Sequence, residues 1–187
     1  MSSDERLDRI LAAAYTCFTR HGVRRTTMDD IATEAGMSRP AVYQYVRNKD
    51  DAYRRLAESL FDRALADARE AARRTDAPLA QRLHAVLATK LELTLRLYRD
   101  SPHAPELLDA STRLTGDLVE AYTASVVDVV TEVLAADAGE RARSVAELSV
   151  ALTRGLEADL TDPDTPRRLL REGLALIAAG LATRENS

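Results

Sequence analysis

Three of the positions from Arg39 to Tyr45 hold side chains suited to reading the edges of DNA bases. An arginine fork pairs bidentately with guanine, a glutamine amide with adenine, and a small methyl packs on the thymine methyl. Arg39, Gln44 and Ala41 are therefore candidate base readers. Tyr43 and Tyr45 carry hydroxyls suited to phosphate oxygens. Two residues apart on a helix, they cannot share one face, which weighs against the competing reading of both as core aromatics. Val42 and Val46 are four apart and face inward. Just upstream, Arg24 and Arg25 form a basic link, either solvated charges or phosphate contacts.

These residues need a helix to present them. Leu7, Ile10, Leu11, Ala14 and Phe18 recur at helical spacing, which predicts a first helix over Asp4 to His21, stopped by Gly22 as an αL residue. Thr27-Met28-Asp29-Asp30 has the capping-box pattern and starts a short second helix that ends near Gly36. Ser38 is a good N-cap for a third, with Pro40 in its first turn. Two short helices joined at Gly36-Met37-Ser38 read as a helix-turn-helix, whose second helix enters the major groove. Asn48 caps a long fourth helix running to about Arg73.

The segment from Ile10 to Leu60 resembles the DNA-binding domain of the TetR family. The matching positions are Ala13 to Phe18, Gly22-Val23, Thr26-Thr27, Ile31-Ala32, Ala35-Gly36, Ser38, Val42 to Val46 and Asn48-Lys49. At Val46 the family more often has an aromatic. The resemblance implies that Arg39, Ala41 and Gln44 touch bases, and that Thr27, Tyr43, Tyr45 and Lys49 grip phosphates. It implies an all-α chain with a three-helix helix-turn-helix domain over 1–48. A helical domain over 49–187 would bind a small ligand and dimerise, giving about nine helices in all. It further implies a repressor that leaves a palindromic double-stranded operator when the ligand binds.

Beyond residue 49 the pattern stays helical, with breaks at Thr75 to Pro78, Asp100 to Pro105 and Asp162 to Pro166, and a weaker one at Thr115-Gly116. The helix from Leu79 to Tyr98 is apolar on more than one side, which argues for central burial. Polar candidates for a ligand pocket are Arg96, His103, Thr112, Tyr122 and Ser125. Only Tyr98 and Tyr122 among the aromatics lie beyond Phe61, so stacked aromatics for flat cations are not expected. The last two helices carry Leu152, Gly155, Leu156 and Leu170, Gly173, Leu174, Ile177 at i, i+3/i+4, i+7. These stripes are the expected homodimer interface, with a single intrachain core as the alternative. Leu169 and Leu176 lie off the stripe, so the last helix needs two partners.

Net charge is −4 over 187 residues, yet residues 1–49 carry +2. A mildly basic head on an acidic body suits a DNA reader. The single cysteine, Cys17, fits a reducing cytoplasm and reads as a small buried hydrophobe. No membrane span and no signal peptide are expected. No phosphate loop, HExxH, CxxC or nucleophile elbow occurs, so no catalytic residue, cofactor or metal is assigned. A helical protein-interaction module is the remaining rival.

Overall fold

The structure is a computed structural model that describes residues 2–183, apart from the side chain of Thr112. Among the described residues it is all-helical. The helices are α1 (Ser3–His21), α2 (Met28–Glu34), α3 (Arg39–Tyr43), α4 (Lys49–Ala72), α5 (Leu79–Asp100), α6 (Ala104–Ala138), α7 (Ala142–Leu156) and α8 (Asp164–Ala182), with a 3₁₀ turn over Gly139–Arg141. The expected break at Thr115-Gly116 is a kink inside α6: Thr115 has φ −137° and ψ 22°. That kink accounts for eight α-helices where the sequence suggests about nine.

The chain forms two compact units. The first comprises residues 2–61 and 97–119, and the second 62–96 and 120–183. Ile10, Ala14, Phe18, Ile31, Val42 and Val46 are buried at the centre of the first unit, and Leu107 and Ala110 of α6 join them. Phe18 and Tyr53 meet ring to ring at 5.5 Å. Val46 is 1 % exposed and belongs to the same core. The turn α1–α2 depends on Gly22, whose φ of 78° and ψ of 160° are open to glycine rather than to a side-chain-bearing residue. This is not the αL geometry expected from sequence. The cap N–H still bonds back to the Phe18 carbonyl, at 2.9 Å.

The second unit is built round α5. Leu83, Val86 and Leu87 are fully buried on one stripe, while Leu93 and Leu97, on the other side expected from sequence, are half-buried. The α7–α8 pair packs alongside within the same unit. No helix among the described residues is long and apolar enough to cross a membrane.

Candidate nucleic-acid interface

The capping box predicted for α2 is present. The Asp30 N–H donates to the Thr27 hydroxyl at 3.2 Å, and the Thr27 N–H donates to the Asp30 carboxylate at 2.8 Å. The Thr27 hydroxyl also donates to that carboxylate, at 2.7 Å. These bonds hold the Asp30 carboxyl below its usual range. Thr27 therefore reaches a phosphate with its hydroxyl proton only by releasing Asp30.

α3 is shorter than its apolar pattern suggests. It ends at Tyr43, with Gln44 as the C-cap and Tyr45 and Val46 bonding back to the Val42 carbonyl in a closing turn. Arg39, Tyr43 and Gln44 are exposed on this element. Ala41 is half-buried. Tyr45 is also half-buried and packs against the core of the unit. The two tyrosines thus divide: Tyr43 is 40 % exposed, and Tyr45 is partly a core residue. Arg39 is not loose. Its Nη1 donates to Asp29 at 3.1 Å, its Nη2 donates to the Tyr43 hydroxyl at 3.4 Å, and its guanidinium lies 5.5 Å from the Tyr43 ring centroid.

At the base of the unit, Lys49 donates through Nζ to the Arg24 carbonyl at 3.1 Å. The Arg24 N–H donates to Glu106 of α6 at 2.7 Å. Both backbone groups of Arg24, after α1, are thus held, the carbonyl by α4 and the N–H by α6. Three further bonds tie α1 and α4 to the 97–119 segment. The Tyr15 hydroxyl donates to Asp100 at 2.9 Å, the Ser101 hydroxyl to the Thr19 carbonyl at 2.8 Å, and the Tyr53 hydroxyl to the Leu107 carbonyl at 2.7 Å. Burial pushes the Tyr53 phenol up to about 12. At the α6 kink, Arg54 forks onto Asp117 at 2.8 and 2.6 Å and also reaches the Leu114 carbonyl at 3.2 Å. Sequence reasoning missed Glu106, Ser101 and Asp117, because no local pattern links residues some 60 to 80 positions apart.

Residues 10–56 match the family described as bacterial regulatory proteins, tetR family. The chain carries a TetR-family segment. A 62-residue stretch is 42 % identical to the HTH-type transcriptional regulator YfiR of Bacillus subtilis, covering 33 % of this chain and 30 % of that protein. Over 159 residues the chain is 28 % identical to the HTH-type transcriptional activator FasR of Mycolicibacterium smegmatis, covering 80 % of this chain and 69 % of FasR. The fold of a Pseudomonas aeruginosa PAO1 protein whose name refers to transcriptional regulation superposes with a TM-score of 0.75 at 21 % identity, covering 98 % and 95 % of the two chains. The TetR-type segment is therefore the part of the sequence most alike between relatives, while the whole helical fold extends the likeness through the body.

The pocket candidates with described side chains fall on both units. Arg96 is exposed, Tyr122 buried and Ser125 half-buried in the second unit, whereas half-buried His103 belongs to the first. The side chain of Thr112 lies outside the described residues. The second unit instead buries a polar group with no sequence signal. Lys90 of α5 donates to both oxygens of Glu157 at 2.7 and 2.8 Å, and the Thr94 hydroxyl reaches the same carboxylate at 3.3 Å. The Tyr122 phenol is pushed up, first by burial and then by the Glu157 charge.

The stripes expected at the dimer interface are redistributed. Leu170 and Leu174 are fully buried within the single chain, so they are core of the subunit. A Cβ on Gly173 would stand 2.7 Å from Leu152 Cδ2, so this glycine serves the close approach of α7 and α8 in one chain. Leu152, Leu156 and Ile177 are half-buried, and Gly155 is exposed. The apolar side chains left in solvent are Leu148, Leu169 and Leu176, at 59, 38 and 75 % exposure.

Proposed function

We propose that this chain is a one-component DNA-binding transcriptional regulator of the TetR family acting as a repressor. α3 lies in the major groove, with Arg39, Ala41 and Gln44 toward base edges and Tyr43 toward phosphate. Thr27, Tyr45 and Lys49 add backbone grip once they release their present partners. The observation that carries this reading is the exposed Arg39–Tyr43–Gln44 face on a short helix, held by an apolar core in a segment that matches the family.

A single α3 reads too little sequence for a unique site, so a two-fold dimer on a palindromic operator is the natural working unit. Leu148, Leu169 and Leu176 support it, since large apolar side chains left exposed on two packed helices call for a partner. Residues 1–48 are the reading head, and 49–187 the ligand-binding and dimerising body. A small, mostly aliphatic ligand in the body shifts the separation of the two heads and releases the operator. Coupling of this kind is about 1–3 kcal/mol and is reciprocal between ligand and DNA. The cytoplasm is where such a protein meets both.

The test joins sedimentation with gel shift on genomic fragments. The parent chain is expected to run as a dimer and retain fragments with a palindromic site. Leu176→Glu is expected to run as a folded monomer that has lost those fragments. A monomeric parent, or a Leu176→Glu dimer with full binding, overturns the reading.

A further inference from the structure

Asp29 has no role in the capping box, which uses Thr27 and Asp30. It stands one position earlier, exposed, and its carboxylate takes the Arg39 guanidinium at 3.1 Å. Resting on the reading of Arg39 as a base reader, we propose that Asp29 is a positioning residue that sets the guanine selectivity of Arg39.

The argument starts from the side chain. An arginine free in solvent samples many rotamers and loses them when it docks. Here two partners restrain it before DNA arrives: Asp29 on α2, and Tyr43 one turn along α3 by hydroxyl and ring. A guanidinium has five N–H donors in a fixed fork. Two of them serve Asp29 and Tyr43, which leaves donors for guanine O6 and N7. The carboxylate also acts in the opposite sense. Facing a base that cannot accept two hydrogen bonds, Arg39 stays on Asp29 rather than swinging to a nearby phosphate. Non-cognate DNA thereby loses a charged contact that guanine-bearing DNA does not need. Selectivity is a difference between two affinities, and Asp29 lowers the unwanted one while orienting Arg39 for the wanted one.

The experiment is selection from a randomised duplex pool with the full-length parent, Asp29→Ala, Asp29→Asn, Arg39→Ala and the Asp29→Ala/Arg39→Ala double variant. Binding of each to random-sequence duplex is then titrated against salt. Thermal melts establish that each variant is folded, and Asp29→Asn keeps the side-chain shape at the first turn of α2. The parent is expected to enrich a guanine that Arg39→Ala abolishes. Asp29→Ala lowers that guanine preference by up to about fivefold, the span of an exposed ion pair. It leaves the other selected positions unchanged, and steepens the salt dependence on random DNA by about one counterion. In the Arg39→Ala background, Asp29→Ala changes nothing at that position. If Arg39→Ala selects the parental sequence, the base-reading assignment fails and the proposal falls with it. If Arg39→Ala changes the selection but Asp29→Ala matches the parent, only the proposal falls. Equal loss by Asp29→Ala on selected and random DNA also overturns it.

Discussion

The two compact units are held together in different ways. In the first, a small apolar core is supplemented by side chains that bond to backbone across long sequence separations: Ser101, Tyr53, Arg54, Lys49 and Glu106. The second combines apolar packing on α5, α7 and α8 with long-range bonds that run mostly between side chains, Lys90 to Glu157, Arg167 to Glu92 and Arg143 to Asp128, and leaves Leu148, Leu169 and Leu176 in solvent. A unit whose loops and helix ends are tied by directional bonds presents short helices in fixed orientation. A unit joined mostly through side chains leaves more of its backbone free of such ties. That contrast suits a reading head and a responsive body.

Four substitutions sharpen or break it. The largest effect is expected at Lys90. Lys90→Met leaves the Glu157 carboxylate inside without its cation, and removing one partner of a buried pair costs about 3–5 kcal/mol. The Lys90→Met/Glu157→Leu double variant should recover most of this in urea denaturation. Equal losses for single and double variants would show that the pair does not act as one.

Gly22→Ala should come next. The substitution forces an alanine to φ +78° and brings its Cβ to 2.5 Å from Glu106 Oε2. Strain in this backbone region costs on the order of 1–3 kcal/mol. Chemical denaturation should show the loss, and a neutral result would mean that the Glu106 grip on the link is not rigid.

Asp117 gives a pH signature. The hydrogen bonds from Arg54 hold its carboxyl at about 2, below its usual value near 3.8. A folded pKa below the unfolded one stabilises above the unfolded value and is lost as pH falls through the folded one. Asp117→Asn should therefore remove part of the parent's acid-limb loss between about pH 4 and pH 2. The smallest effect is expected for Gly173→Ala. The nearest atom is the mobile tip of Leu152, which can turn aside, and alanine gains about 1 kcal/mol in helix propensity over glycine. A near-neutral melt is expected, and a large loss would mean that α7 and α8 tolerate no give.

Much of this was legible in sequence. Local signals worked where a residue's partner is three or four positions away. Examples are the Thr27–Asp30 box, the Asn48 side chain accepting from the Asp51 N–H, and the inward Val42 and Val46. The helix-turn-helix candidates on α3 were readable for the same reason. What the sequence hid are pairings between distant elements. Glu106 on the α1–α2 link, Lys90 with Glu157, and the membership of residues 97–119 in the first unit leave no periodic trace. The α7 and α8 stripes were visible as apolar. Which of them faces inward depends on packing, so fully buried Leu170 and Leu174 could not be told from exposed Leu169 and Leu176 by spacing alone.

The central claim is that α3 reads bases through Arg39 and Gln44. The direct measurement is equilibrium binding of the parent, Arg39→Ala and Gln44→Ala to a selected operator duplex and to a scrambled one, at matched salt. Each variant should lose about 1–3 kcal/mol on the operator and little on the scrambled duplex, because a bidentate base contact is lost while phosphate attraction remains. Equal losses on both duplexes for both variants would contradict the account.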